Sequence, residues 1–334
     1  MPSTPGRLLL LDTASLYFRA YFGVPDSLRA PDGTPVNAVR GLLDMIATLV
    51  TDHRPTRLVA CWDDDWRPAF RVAAIPSYKA HRVVSEVAAE VAGPDGPQWV
   101  EEVPPALVAQ VPVIVDVLAA LGIARVGAPG FEADDVIGTL TAREVAKPAA
   151  ERDRVDVVTG DRDLFQLVDD DAGVRILYPV KGIKNLLTVD QAVLHDKYGV
   201  PTGAAYADMA TLRGDPSDGL PGVVGIGEKT AATLIARYGT LDGILAARDS
   251  TDPGLTATQR RRLVEASDYL DVAPVVVQVV RSAPVTLPSP TAQRPVPDDV
   301  PSAPADPEAL AALVERWGLA SSVRRVTEAF AGRA

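Results

Sequence analysis

The chain has 334 residues, 47% hydrophobic and 23% charged, with a formal charge of −11. That length suits one large or two modest domains with a full core, in an ordinary soluble protein. A single cysteine (Cys61) excludes an intramolecular disulfide and fits a reducing cytoplasm. Three scattered histidines (His53, His81, His195) argue against a His-built zinc site, and the apolar run Leu8 to Leu11 is too short for a signal peptide or membrane span.

The negative charge does not exclude nucleic acid, because binding follows the local charge distribution and a bound divalent ion reverses the local sign. Residues 7–12 (RLLLLD) predict a buried parallel strand ending on an acid. Residues 57–63 (RLVACWD) and 155–161 (VDVVTGD) repeat the form. Helical segments from Asn37 to Thr51 and from Pro105 to Leu121 lie between them, giving a β-α-β-α pattern. In an open parallel sheet the residues just past the carboxyl ends of strands line the cleft. Asp12, Asp63 and Asp161 therefore fall on one rim. A lone strand-end Asp is a turn former; three converging on one rim are not explained that way.

Residues 71–104 break the alternation. This stretch holds YKAHR (Tyr78 to Arg82) and Gly/Pro punctuation, and it predicts a mobile, partly helical insertion over the cleft. Residues 130–138 (GFEADDVIG) then pack three carboxylates into four positions ahead of a helix-forming run. On a helix, Glu132 and Asp135 share a face and Asp134 lies about a quarter-turn away. Such carboxylates repel by about 1 kcal/mol in water and more in a semi-buried cleft. A helix N-terminus accounts for one or two of them; a hard divalent ion held by oxygen accounts for all three. Asp161 and Asp163 follow in TGDRDLFQL. A strand and hairpin carrying turn lysines Lys181 and Lys184 comes next.

Residues 214–239 (GDPSDGLPGVVGIGEKTAATLIARYG) place Asp215 and Asp218 in a tight turn. The turn delivers backbone N–H groups, with Gly225, Gly227 and Lys229, at a helix start, an arrangement suited to phosphate. The run Arg260, Arg261, Arg262 reads equally as a solvated face or a DNA contact. Eight prolines between Pro284 and Pro307 predict an extended linker outside the core. A last amphipathic helix, DPEALAALVERWG, docks back on the body.

In this order, LLLLDTASLYFRAYF, FRVAAIPSYKAHR, GFEADDVIGTLT, VVTGDRDLFQLV and GDPSDGLPGVVGIGEKTA resemble the 5′-nuclease domain of bacterial DNA polymerase I and the related flap endonucleases. The resemblance covers Leu8 to about Arg281 and, weakly, the last helix. With no polymerase sequence attached, the chain resembles a stand-alone member. It implies an α/β fold: a twisted, mostly parallel sheet flanked by helices (a PIN-like nuclease core), with a helical DNA-binding part. The division expected is a core over 1–190 with its insertion at about 71–104, and a helical part over 191–282 with a helix–three-turn–helix motif at about 214–239. A Pro-rich linker (283–307) and a helical segment (308–334) complete it.

Carried over residue by residue, the resemblance implies Asp12, Asp63, Glu132, Asp134, Asp135, Asp161, Asp163, Asp215 and Asp218 as ligands, or their close support, for two or more Mg²⁺ or Mn²⁺ ions. Tyr78 matches a residue that stacks on a terminal base. Lys79 and Arg82 match residues that grip the scissile phosphate, and Arg71 joins the DNA-binding set. Gly225, Gly227, Lys229 and Thr230 match the duplex-tracking turn, with K⁺ near Ser217. The chemistry implied is metal-assisted phosphodiester hydrolysis by a cytoplasmic monomer, on DNA 5′ ends, flaps, nicks or gaps and on RNA–DNA hybrids, in primer removal and repair.

Two departures stand out. Trp62-Asp63 is followed by six residues before Phe70-Arg71 where relatives have five, so Asp64 competes with Asp63 as the ligand; Asp63 keeps the aromatic before it. Between Val83 and Ala124 there is no Lys or Arg, but Glu86, Glu90, Asp95, Glu101, Glu102 and Asp116 are present. That puts threading of a single-stranded flap in doubt. A non-catalytic junction binder is the rival from another class, and the intact set of acids argues against it. An RNA-directed nuclease is the rival among enzymes, and the residue 214–239 block favours duplex DNA.

Overall fold

The computed structural model describes residues 6–83, 91–93, 96–98, 101–288 and 297–332. In chain order the first part comprises β1 (Arg7–Asp12), α1 (Thr13–Gly23), α2 (Asn37–His53), β2 (Arg57–Cys61), α3 (Ala69–Ala74), β3 (Val91–Gly93), β4 (Gly96–Gln98) and α4 (Pro105–Val108). It continues with α5 (Val111–Leu121), β5 (Ala124–Val126), α6 (Ala133–Val145), β6 (Arg154–Val158), β7 (Val174–Tyr178) and β8 (Leu187–Val189). The helical part follows as α7 (Gln191–Tyr198), α8 (Gly203–Arg213), α9 (Glu228–Tyr238), α10 (Leu241–Arg248), α11 (Ala257–Glu265) and α12 (Ser267–Val277). Two further helices, α13 (Pro307–Trp317) and α14 (Ala320–Ala331), end the chain.

The main sheet runs β5-β2-β1-β6-β7-β8, parallel throughout except for β8, which pairs antiparallel with β7. The all-leucine run of β1 is buried on both faces. Leu8 and Leu10 pack toward α6 and the helical part, while Leu9 and Leu11 pack toward α2, α5 and the last two helices. β1 lies between β2 and β6, and the chain departs from it to both sides. The crevice at its carboxyl end is therefore the place where an open sheet of this kind binds ligands.

The core continues unbroken into the helical part. Phe165 packs edge-on against Tyr178 and Tyr198 and tilted against Tyr206, with ring centroids 5.3 to 5.9 Å apart.

Three sequence expectations need correction. The helix expected over Pro105 to Leu121 is broken into α4 and α5. Pro112 has no N–H to continue a helix through Val108, so it starts a new one in its first turn. The insertion is partly helical, with α3 and a 3₁₀ turn at Ala80–Arg82, and it adds an antiparallel β3–β4 pair that the expectation did not include. Its residues 84–90, among them Glu86 and Glu90, lie outside the described residues, as does Asp95.

The Pro-rich segment is not simply an extended linker. Ala283 and Val285 are buried, and Asp298, 2% exposed, accepts from Arg57 Nε at 3.0 Å and Nη2 at 2.6 Å. The Leu58 N–H donates to the Asp298 carbonyl at 2.7 Å, so residues 298–300 pair with the start of β2. A cation at a strand entry and an acid 241 positions later form this staple. The last helices dock as expected: Arg325 forks onto Asp44 of α2 at 2.6 to 2.9 Å.

Candidate active site

Asp12 ends β1 and caps α1: its Oδ1 accepts from the Ser15 N–H at 3.1 Å and its Oδ2 from the Thr159 hydroxyl at 2.7 Å. Thr159 follows β6, so a donor on the neighbouring strand aims the carboxylate. Asp63 follows β2, and its Oδ1 accepts from the Ala133 N–H at 2.8 Å, at the start of α6. Asp161 follows β6 and accepts from the Asp163 N–H at 2.8 Å. With Glu132 and Asp134 from the α6 entry, Asp215 from the turn after α8, and Glu101, these acids line one cleft of about 480 Å³. Lys79, Arg82 and Arg162 line it too, so among the described residues seven carboxylates face three cations.

The electrostatics follow from that imbalance. Burial and then the nearby Asp161 push Asp12 up to about 6, against the Thr159 and Ser15 hydrogen bonds. Burial, with Asp12 and Glu132 adding to it, pushes Asp63 up to about 7. Asp134 is held well above the carboxylate range by burial and by Asp161 and Asp12. Burial, then Asp161, Asp218 and Asp215, push Asp163 up to about 8. Burial opposes the charge on Lys79, but Glu132, Tyr78 and Asp218 outweigh it and hold the ammonium well above its usual value.

Carboxylates that cannot all ionise beside one another are a donor set for a hard divalent cation, and oxygen-only donors fit Mg²⁺ or Mn²⁺. Among the described residues, no three His, Cys, Asp or Glu side chains stand close enough to enclose one ion. The acids line the wall without closing on a point, as like charges in poorly solvated space do.

The structure separates the expected site residues into groups. Asp12, Asp63, Lys79, Arg82, Glu132, Asp134, Asp161, Asp215 and Ser217 line the cleft. Asp163 and Asp218 flank it. Asp64 is exposed beside Arg125 and Gly127, so Asp63 is the member of the pair that faces the cleft.

Two assignments change, those of Arg71 and Tyr78, and a third, that of Asp135, narrows to support of Glu132. Asp135 is fully buried and bidentate to Arg71, Nη1–Oδ2 2.7 Å and Nη2–Oδ1 2.6 Å. It also accepts from the N–H groups of Glu132 at 3.2 Å and Val280 at 2.8 Å, so it is the helix-start acid of the cluster and has no lone pair to offer a metal. Arg71, 2% exposed, spends its guanidinium on Glu132, Asp135 and the Val276 carbonyl, which removes it from any DNA surface. Tyr78 is 4% exposed with its hydroxyl on Glu132 at 2.8 Å, so its ring is packed in the protein and does not offer a stacking face.

Gly225, Gly227, Lys229 and Thr230 sit at the start of α9, apart from the cleft lining. Gly225 has φ +78°, the left-handed conformation that opens this turn, and its carbonyl accepts from Arg262 Nη1 at 2.8 Å. Arg260 is structural: its guanidinium caps the carbonyls of Ala247, Arg248, Ser250 and Asp252. The Ser217 hydroxyl bonds Asp215 and its carbonyl accepts from Arg82.

Sequence reasoning missed Tyr17, Phe18, Trp66, Glu101, Arg162 and Tyr178, which also line the cleft. Tyr17 and Phe18 lie on the helix that Asp12 caps, and Arg162 lies between two named acids, so both were within reach of the strand-end rule. Glu101 enters the sequence reading only as one of the acids of the insertion, and nothing in the sequence singles it out from the others.

The family description "5′-3′ exonuclease, N-terminal resolvase-like domain" matches residues 7–199, and "5′-3′ exonuclease, C-terminal SAM fold" matches residues 201–299. The chain belongs to the 5′-3′ exonuclease family. It is 62% identical to a 5′-3′ exonuclease of Streptomyces coelicolor over 321 residues, 95% of this chain and 98% of that one. It is 42% identical to DNA polymerase I of Mycobacterium tuberculosis over 257 residues, 75% of this chain and 25% of the polymerase. A solved complex of the T5 D15 flap endonuclease with DNA and metal ions superposes with a TM-score of 0.59 over 98% of each chain, at 16% identity, a likeness of fold. As a 5′-3′ exonuclease the protein is a nuclease, and the acidic cleft is its candidate catalytic centre. Among the described residues no helix is long and apolar enough to cross a membrane.

Proposed function

We propose that this 5′-3′ exonuclease hydrolyses DNA phosphodiesters at 5′ ends, flaps, nicks or gaps, with Mg²⁺ or Mn²⁺ held by Asp12, Asp63, Glu132, Asp134, Asp161 and Asp215. The observation that carries the reading is the convergence of these acids from three strand ends, the α6 entry and the turn after α8 on one cleft that also presents Lys79 and Arg82. Bound divalent ions supply a lowered water pKa and charge stabilisation at phosphorus. Lys79 and Arg82 donate to the non-bridging phosphoryl oxygens as charge develops there. Asp163 and Asp218 support the set from its flank. Tyr17, Phe18 and Trp66 supply the aromatic wall against which a terminal base packs.

The turn of Gly225 and Gly227, with Lys229 and Thr230, holds duplex backbone through N–H groups and one exposed ammonium. K⁺ near Ser217 belongs to the same reading, as do RNA–DNA hybrid substrates, a cytoplasmic location and a monomeric state. The division into a core over 1–190 and a helical part over 191–282 is retained with it. Cleavage of end-labelled flap, nicked and blunt duplexes in Mg²⁺ tests the reading. Products released from the labelled 5′ strand of flapped or nicked DNA support it, and cleavage confined to 3′ ends or to single-stranded RNA contradicts it.

A further inference from the structure

The two oxygens of Glu132 meet different neighbours. Oε2 accepts from Arg71 Nη1 at 2.6 Å and from the Tyr78 hydroxyl at 2.8 Å, two buried donors that fix the carboxylate in place. Oε1 is held by the ammonium of Lys79, and both Glu132 and Lys79 line the cleft. Lys79 is held in turn by an uncommon backbone: its φ of 49° is left-handed, a conformation that side-chain-bearing residues rarely adopt. Its N–H donates to the Asp218 carbonyl at 3.0 Å, and its ammonium lies 5.1 Å from the Tyr78 ring centroid. A cation assigned to grip phosphate is thus stored on an acid assigned to hold metal.

We propose that Lys79 is the resting counter-ion of the cleft: it neutralises Glu132 until a divalent cation takes Oε1, and that exchange frees the ammonium to face substrate phosphate. The inference rests on the metal reading of the cleft given above. Arg71 brings one positive charge to two buried carboxylates, Glu132 and Asp135, so a second cation is needed and occupies Oε1. A divalent ion outcompetes an ammonium because it brings twice the charge to the same carboxylate oxygen. The exchange breaks one ion pair and leaves Arg71 and Tyr78 on Oε2, so Glu132 keeps its orientation. The lysine stem then carries its donors into the cleft from a backbone still tied to Asp218.

The test is amine labelling of the full chain with N-hydroxysuccinimidyl acetate, without DNA, in EDTA and in saturating Mg²⁺. The rate at each lysine is read by peptide mass spectrometry, and Mg²⁺ binding is followed in parallel by calorimetry. The exposed lysines Lys181 and Lys184 serve as internal references. In EDTA, Lys79 should react at least about tenfold more slowly than the references, and Mg²⁺ should speed it by about fivefold or more without changing them. Lys79→Met should bind Mg²⁺ several-fold more tightly, because the competing cation is gone. Calorimetry showing bound Mg²⁺ while Lys79 stays protected overturns the exchange and leaves the metal reading standing. An absence of Mg²⁺ binding overturns both.

Discussion

Arg82 Nη2 reaches the Asp218 carboxylate at 2.7 Å. The same nitrogen donates to the Ser217 carbonyl at 3.0 Å, the Ser77 hydroxyl donates to the Gly219 carbonyl at 2.7 Å, and the Lys79 N–H donates to the Asp218 carbonyl. The segment carrying Lys79 and Arg82 is therefore docked on the turn after α8, which opens the helical part. Gly219 permits this closeness: it has φ +73°, and a Cβ there would meet the Ser77 carbonyl oxygen at 2.1 Å.

Gly219→Ala should pry the two segments apart while leaving the α9 turn intact. Duplex affinity should change by less than about threefold, while single-turnover cleavage with substrate saturating falls by about tenfold or more. Gel-shift titrations and quenched-flow rates on one preparation check this; an equal loss in both would place Gly219 in binding alone.

Arg71→Leu should be severely destabilising. It leaves Glu132 and Asp135 buried with their main counter-charge gone, a change that costs about 3–5 kcal/mol. Chemical denaturation measures the loss, and the folded fraction should bind duplex with unchanged affinity. If stability is retained and duplex affinity falls, Arg71 is a DNA contact after all.

The sequence made the rim legible because buried parallel strands write themselves as short apolar runs and their end residues share one edge. Asp12, Asp63 and Asp161 follow from that rule alone. It could not show that Asp135 is the helix-start acid while Asp134, one position earlier, faces the cleft. That choice is made by Arg71, 64 residues away, whose burial no local pattern announces. Tyr78 failed for the same reason, since its hydroxyl partner is 54 residues distant. The Arg57–Asp298 staple hid in a proline-rich stretch because composition reports chain stiffness and says nothing of where one carboxylate docks.

Stability in EDTA should fall as pH rises. Asp12, Asp63 and Asp163 ionise near 3.8 when unfolded but at about 6, 7 and 8 when folded. The folded state thus holds more protons across this window, and stability present below the unfolded value is lost as pH climbs through the folded ones. The melting temperature should drop between about pH 4 and 8 in EDTA, and Mg²⁺ should restore more at the upper end, where its ligands are ionised. Asp134→Asn should raise the melting temperature in EDTA, because one repelling charge is removed. A melting temperature that climbs across the window would contradict the electrostatics.

Lys229→Ala and Lys79→Ala should divide binding from chemistry. Lys229 is exposed at the start of α9, and losing one phosphate contact flattens the log–log salt dependence of duplex binding by about one unit. Lys79→Ala should chiefly slow single-turnover cleavage. Normal duplex binding by Lys229→Ala, together with a pure affinity loss in Lys79→Ala, would reverse the assignment.

The most direct test of the central claim is single-turnover cleavage of a 5′-labelled flap duplex by wild type and Asp134→Asn, in Mg²⁺ and in EDTA. The account predicts 5′-strand cleavage by wild type in Mg²⁺ and none in EDTA. It predicts a rate at least about a hundredfold lower for Asp134→Asn at undiminished duplex affinity. Cleavage that survives EDTA, or an Asp134→Asn variant as fast as wild type, would contradict a metal-dependent centre in this cleft.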